Sequence, residues 1–227
     1  LVFGFMSFFL VDNFLATMAT DLVNAQAQSL MDTMLAVRKY TSERTNPIIQ
    51  SINLQDSRHF LAESVPSYAA KSVFANMKKS AQFRDYVYRE AVVNPTNEED
   101  LPSEIESVII KKFQANHNLK EDVGFVKTDL VSYHYIARPL IVNSPLCLRC
   151  HSVPENAPKS MIDRYGNKNG FGWKVNDIIG AQIVKVPLGQ IFAQKQRLQR
   201  NIVILVIAVM SALARSEEHT SELQSHS

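Results

Sequence analysis

The first part of the chain places apolar and polar residues with the period of a helix. Apolar side chains recur three or four positions apart from Phe9 to Tyr40, and this spacing is typical of an amphipathic helix. No glycine or proline interrupts the pattern before Pro47. The sequence therefore predicts one long helix. We expect Pro47 to end it, because proline lacks the backbone N–H that a helix interior needs.

Two continuous apolar runs lie near the ends of the chain, at residues 1–11 and 201–214. Each is shorter than the ~20 residues with which a helix crosses a bilayer, so a buried core helix is an alternative for both. A signal peptide is a further alternative for the first run, but no small-residue cleavage site follows it. We interpret both runs as truncated transmembrane helices, the first cut at its start and the second at its end.

The intervening residues 12–200 mix helical and alternating patterns. A helix is predicted from Pro66 with Ser64 as its N-cap, and another after the acidic residues 98–100. Strands are predicted within residues 83–93, 123–126, 130–142 and 178–186, with a loop rich in Pro, Gly and Asn at residues 153–176. Such helices around several antiparallel strands predict an α+β domain.

Composition narrows the class of protein. The chain has 227 residues, 46% hydrophobic content and a formal charge of +2, which suits one domain with additions at its ends. This near-neutral balance offers no basic stripe, so we expect no nucleic-acid partner. Residues 215–227 change abruptly to polar and charged types and resemble translated sequencing adaptor. We therefore interpret these residues as non-native and predict no fold for them. The alternative is a natural disordered tail.

Both cysteines of the chain stand in one motif, Cys147-Leu-Arg-Cys150-His151. C-x-x-C-H is the attachment signature of a c-type haem, in which two thiols bond the porphyrin and the histidine ligates the iron. The alternatives are a redox dithiol, a structural disulfide and half of a zinc site, although no second ligand pair stands nearby to complete the last. Haem c is the cofactor that we predict, and its attachment outside the bacterial cytoplasm predicts a periplasmic domain.

Several separate stretches agree with one known family. They are Arg38-Lys-Tyr-Thr41, Ser64-Val-Pro-Ser-Tyr-Ala-Ala70, Tyr88-Arg-Glu-Ala91, Asn94-Pro-Thr-Asn97, Tyr135-Ile-Ala-Arg-Pro139, the C-x-x-C-H motif, Ala157-Pro-Lys159, Asn169-Gly-Phe-Gly-Trp-Lys174 and Ile179-Gly-Ala-Gln182. With these residues the chain resembles the haem-c PAS-like sensor domains, a former domain of unknown function. A cyanobacterial c-type cytochrome associated with photosystem II is a relative of that family. The resemblance covers roughly residues 22–187.

The resemblance implies a PAS-like antiparallel sheet with flanking helices, held between two membrane helices. It also implies a HAMP linker and an output module farther along the protein, such as a histidine kinase or a nucleotide cyclase. We therefore expect the fragment itself not to be an enzyme. We expect it to be the periplasmic sensor of a bacterial inner-membrane signalling protein that detects a small gas or redox state. The long first helix also suggests a homodimer.

Under this resemblance Cys147 and Cys150 carry the haem and His151 is its proximal ligand. Some relatives take the sixth ligand from a cysteine near the end of the first helix, and this chain has no third cysteine. Tyr40 and Met34 are the leading candidate residues, and an open or water-filled site is an equal alternative. The further candidates are Met31, Met77, His59 and His134.

Further residues are expected to lie at the haem. Arg138 suits a propionate, because guanidinium binds carboxylate in bidentate fashion, although a surface ion pair is the alternative. Trp173, together with Phe171 and Tyr165, is expected to line the haem or close its loop.

A membrane-anchored cytochrome for electron transfer is the second function that fits the sequence. The two functions differ in the protein beyond residue 214, since a sensor needs an output module there and a carrier does not. One observation opposes the predicted topology, because Lys195, Arg197 and Arg200 flank the second apolar run on its periplasmic side. The site of haem attachment is the stronger constraint.

Overall fold

The computed structural model of the chain describes residues 2–53, 61–128 and 131–225. It divides into two compact units, one comprising Asn24–Pro187 and the other Leu1–Val23 with Leu188–Ser227. The first unit contains the sheet and the cysteine motif.

Helix α1 spans Val2–Tyr40, so the long first helix is confirmed. The expectation that Pro47 ends the helical run is wrong. A π-helical turn, Thr41–Thr45, leads directly into α2, Asn46–Asn53. Pro47 is the second residue of α2 and directly follows the π-helical turn. There the Asn46 N–H bonds the Thr41 carbonyl five residues back, so the α-helical hydrogen-bond pattern that a proline would interrupt is already altered.

Two further helices pack on the sheet. Helix α3, Pro66–Met77, begins with Pro66 in its first turn as predicted, but Val65 and not Ser64 is the N-cap residue. Ser64 ends a short 3-10 turn instead and donates its hydroxyl to the Leu61 carbonyl at 2.7 Å. Helix α4, Glu104–Ala115, begins with a capping box in which Ser103 and Glu106 satisfy each other's backbone N–H groups.

Four antiparallel strands form the sheet: β1 Val87–Val92, β2 Asp122–Lys127, β3 Ser132–Ile141 and β4 Ile178–Pro187. Their spatial order is β1-β4-β3-β2. Each lies within or near its predicted range, because the alternation of side chains along a strand is a local signal. The α+β fold with flanking helices is confirmed.

The segment between β3 and β4 carries more helix than expected. The cysteine motif forms helix α5, Leu148–His151, and the predicted loop contains helix α6, Lys159–Tyr165. The Pro- and Gly-rich composition concealed this short helix, which buries Met161.

The two faces of the sheet differ in chemistry. One face forms an apolar core with α4, made of Ala91, Ile109, Ile110, Phe113, Tyr135, Ala137, Ile178, Ala181 and Ile183. The opposite face carries polar residues such as Glu90 and Arg138, whose side chains form hydrogen bonds with side chains of α1. The sheet is thus fixed to α4 by apolar packing, and hydrogen bonds and ion pairs to α1 add to the apolar residues that α1 buries, such as Met31 and Met34.

The second unit contains helix α7, Gly189–Ser225. Within the described part of the chain, one helical stretch, Ile191–Ser216, is long and apolar enough to span a bilayer, with a mean hydropathy of 1.6. Lys195 pairs with Asp12 in this unit at 2.8 Å. The transmembrane assignments of residues 1–11 and 201–214, and the non-native origin of residues 215–227, stay predictions.

Candidate functional site

The cysteine motif is held on a short helical turn directly after β3. The Ser144 side chain accepts a hydrogen bond from the Leu146 N–H at 3.2 Å and starts this turn. Cys147 and Cys150 lie three residues apart, which places them on one side of a helical turn. Both are half-buried with free thiols. In the described ranges no three His, Cys, Asp or Glu residues gather into a metal site.

The His151 imidazole is oriented by the loop before β4. Its Nδ1 lies 2.8 Å from the carbonyl oxygen of Gly170 and 3.4 Å from the Thr96 hydroxyl. A carbonyl oxygen only accepts, so Nδ1 carries the proton and donates it. The lone pair is therefore on Nε2, as in histidines that bind a metal through Nε2 while Nδ1–H bonds a carbonyl.

Burial sets the protonation of the motif. It lowers the pKa of His151, although the hydrogen bond to Gly170 opposes this shift. Burial also raises the pKa of the Cys150 thiol, although the positive charge of Arg149 acts to lower it. At neutral pH the site therefore offers an uncharged imidazole and a protonated Cys150 thiol.

The Trp173 ring stacks on the His151 ring, with centroids 3.9 Å apart and planes 12° apart. The backbone reinforces this contact, because the Trp173 N–H donates to the His151 carbonyl at 3.2 Å. The Gly172 N–H also donates to the Ser152 carbonyl at 2.8 Å. His151 is thus held on one face by an aromatic ring and at Nδ1 by a carbonyl.

Asn94 and Gly170 build the loop that holds the histidine. Asn94 accepts from the Gly170 N–H and donates to the Phe171 carbonyl, both at 3.0 Å. Gly170 has φ +83°, and a Cβ there would lie 2.9 Å from the Thr96 Cα. Only glycine fits this close approach without displacing the backbone. Sequence patterns offered no physical reason to select either residue for a role at the site.

A buried polar network lies beside the motif. Arg38 of α1 pairs with Glu90, which also accepts from the Tyr88 hydroxyl at 2.5 Å. Gln182 donates to that hydroxyl at 2.8 Å. Burial lowers the pKa of Arg38, but Glu90, with smaller contributions from Tyr88 and Cys147, more than offsets it and the pKa is raised. Sequence patterns had not selected Arg38 for a role at the site.

The leading candidates for a sixth ligand occupy different environments. The Tyr40 side chain is 66% exposed, whereas Met34 and Met31 are fully buried on α1. Met77 at the end of α3 is half-buried, and His59 lies outside the described residues. On α1, Met34 and Arg38 face the sheet and Tyr40 faces away from it, since residues four apart share a helix face.

His134, one of the further candidate ligands, is buried on β3. Its Nε2 lies 3.4 Å from the Asn24 Oδ1, and its Nδ1 has no hydrogen-bond partner among the residues that the structure describes. Burial lowers its pKa, which leaves an uncharged imidazole between the sheet and α1.

Arg138 has protein partners. Its guanidinium donates to Asp32 at 2.7 Å and to Glu121 at 2.9 Å, and also to the Gln28 side chain at 2.7 Å. Gln28 in turn donates to Glu121 at 2.8 Å. These contacts match the ion-pair alternative and fasten α1 to β2 and β3; a role at a propionate stays a prediction.

An open cleft lies next to Trp173, in the loop before β4. It has a volume of about 350 Å³, and Trp173 forms part of its wall. The other lining residues are Val93, Asn94, Gln114, His117, Asn176, Asp177, Ile178 and Ile179.

These features define the chain as an α+β, PAS-like domain that presents a C-x-x-C-H turn beside its sheet. The chain belongs to the Tll0287-like family, whose sequence profile matches residues 16–187. This confirms the resemblance expected over residues 22–187. No curated protein matches the chain. A solved structure, described as the cyanobacterial heme-protein Tll0287, has a TM-score of 0.50 and 17% identity, covering 72% of this chain and 93% of the other.

Proposed function

We propose that the chain is a c-type haem domain, with Cys147 and Cys150 bonded to the porphyrin and His151 as axial ligand. The observation that carries this proposal is the hydrogen bond from Nδ1 of His151 to Gly170, at 2.8 Å. It leaves Nε2 available to iron, immediately beside two free thiols. Membership of a family that includes a protein described as a heme protein supports the same cofactor.

The residues of the site fit this cofactor. Bound haem supplies an iron centre that changes charge and can take a sixth ligand. Gly170 holds the imidazole in the tautomer that ligates, Trp173 restricts its rotation, and burial keeps it uncharged. Arg38 of α1 provides a positive charge on the same side of the sheet, and Glu90 balances that charge.

We further propose that this domain is the periplasmic sensor of a bacterial inner-membrane signalling protein. A change of redox state or of a gaseous ligand would move α1, whose inner face carries Met34 and Arg38. The apolar stretch of α7 supports a membrane anchor. A histidine kinase or nucleotide cyclase is the output module that we expect beyond this fragment, and a homodimer is the expected assembly.

A membrane-anchored electron carrier is the second candidate. The stack of Trp173 on His151 favours this function specifically, because Trp173 contacts the proposed axial ligand and also lines an open cleft.

Binding of carbon monoxide distinguishes gas sensing from the redox functions. A Soret shift of the reduced protein would require an open or displaceable sixth position, and its absence would contradict gas sensing.

Covalent attachment is tested by expressing the chain with a cytochrome c maturation system. We expect a pyridine haemochrome spectrum of the c type and a protein mass increased by one haem. Cys147→Ser combined with Cys150→Ser should abolish the added mass, and His151→Ala should change the spectrum. His117→Ala is the matched control, since His117 is exposed and outside the motif. A colourless wild-type protein of unmodified mass would contradict the proposal.

A further inference from the structure

The proposed haem site does not involve the cleft beside Trp173, since Cys147, Cys150 and His151 are not among the lining residues. Its volume is about 350 Å³, near the lower limit of sites that enclose small molecules. Val93, Ile178 and Trp173 supply apolar surface, and Gln114, His117 and Asp177 supply polar groups. The lining therefore mixes apolar and polar groups, so an occupant needs both an apolar surface and hydrogen-bonding groups.

Some of the polar groups retain bonding capacity. Gln114 uses its amide N–H to bond the Ile178 carbonyl at 3.0 Å, so its oxygen can still accept. Asp177 accepts from the Lys174 N–H at 2.8 Å through one carboxylate oxygen. Within the described residues, the His117 ring makes no hydrogen bond. Hydroxyl groups of a bound molecule would therefore find acceptors in this cleft.

Trp173 connects the cleft with the axial ligand. One wall of the cleft is Trp173, and the same indole ring stacks on the His151 ring at 3.9 Å between centroids. Two π systems in parallel contact are in van der Waals range. An aromatic molecule that contacts Trp173 in the cleft would thus be connected to a metal held by His151 through two adjoining rings.

We propose that this cleft binds a small, single-ring aromatic reductant, and that Trp173 carries its electron to the haem. This inference rests on the proposed haem function. In the step, a phenolic reductant loses one electron, which passes through the Trp173–His151 stack and reduces ferric iron to ferrous iron. The phenolic proton goes to water, and the oxidised product leaves and dismutates in solution.

The test uses hydroquinone as the probe and the haem-loaded full chain. Stopped-flow absorbance follows reduction of the ferric protein as hydroquinone is increased. We expect the rate to saturate, because the reductant must first occupy the cleft. Val93→Phe should fill the cleft and raise the half-saturating concentration about tenfold. Val123→Phe is the matched control, because Val123 is similarly exposed, 51% against 54%, and lies on β2 outside the cleft.

A second pair of variants tests whether the electron passes through the Trp173 ring. Trp173→Leu removes the ring and should lower the saturating rate about tenfold, while Trp173→Phe keeps a stacked ring and should restore it to within about twofold. Phe125→Leu, at an exposed aromatic on β2, is the control. The spectrum and mass of each variant report first whether haem is attached, so loss of the cofactor is distinguished from loss of the path.

Three results would overturn the inference. They are a rate that rises linearly with hydroquinone, a half-saturating concentration unchanged in Val93→Phe, and a saturating rate unchanged in Trp173→Leu. Slowing in Trp173→Leu with no effect of Val93→Phe would mean that Trp173 only positions His151.

Discussion

Gly170 is the residue on which the orientation of His151 depends most directly. Its carbonyl accepts from Nδ1, its φ is +83°, and an added Cβ would lie 2.9 Å from the Thr96 Cα. In Gly170→Ala we therefore expect the loop to shift and the hydrogen bond to lengthen. The haem-loaded protein should then show an altered axial-ligand spectrum and midpoint potential, measured by potentiometric titration.

Gly166 supplies the matched control for that substitution. It has φ +80°, but nothing lies within 4 Å of an added Cβ. Gly166→Ala should carry only the backbone strain, about 1–3 kcal/mol. Gly170→Ala should cost about 2 kcal/mol more in chemical denaturation, because of the steric overlap. Equal losses of stability with an unchanged potential would show that Gly170 does not orient the histidine.

The Arg38–Glu90 pair is the second prediction at the scale of single residues. Glu90 is 2% exposed, and Arg38 is its charged partner. Glu90→Gln leaves the half-buried Arg38 guanidinium without a counter-ion, so we expect a loss of about 2 kcal/mol in the free energy of unfolding. Tyr88→Phe, which removes only one hydrogen bond to Glu90, should lose about 1 kcal/mol. Similar losses in both variants would mean that the charge pair is solvated.

At the scale of elements, α4 is tied to the sheet by a charge as well as by its apolar core. Glu106 accepts from Lys185 at 3.0 Å, lies 3.6 Å from Arg89, and forms the capping box with Ser103. Burial alone raises the pKa of Glu106, but the Ser103 N–H and the two cations more than offset it, so the pKa is lowered.

This shift predicts a pH dependence of stability. A carboxyl group whose pKa is lowered by folding stabilises the fold above its unfolded pKa, about 4.3. That contribution is lost as the pH falls through the lower folded value. In Glu106→Gln we expect a loss of about 2 kcal/mol at pH 7 that disappears in acid. Denaturation measured from pH 7 downward checks this, and a pH-independent difference would contradict it.

The elements also show what sequence can and cannot predict. The strands and α1 follow from side-chain periodicity, which is a local property, and the C-x-x-C-H turn is equally local. Pro47 was misassigned because proline both ends one helix and opens the next. Gly170 and Arg38 act through contacts with Thr96 and Glu90, residues distant in sequence. Sequence patterns do not encode such tertiary contacts, so neither residue could be placed at the site beforehand.

At the scale of the molecule, the family profile and the compact unit nearly coincide. The profile covers residues 16–187, and the unit that holds the sheet and the motif is Asn24–Pro187. Its apolar core, its polar network and the loop that orients His151 all lie within these residues. Folding and cofactor binding should therefore require only this unit.

The apolar stretch Ile191–Ser216 lies outside that unit, and most of its apolar side chains, such as Leu205 and Met210, are exposed. Exposed apolar surface of this extent marks contact with lipid or another protein. We therefore expect a fragment of residues 24–187 to stay in the soluble fraction, with a haem spectrum and melting temperature close to those of the whole chain. The whole chain should pellet with membranes and resist extraction by carbonate. A fragment that aggregates or loses haem would show that the terminal helices stabilise the domain as well as anchor it.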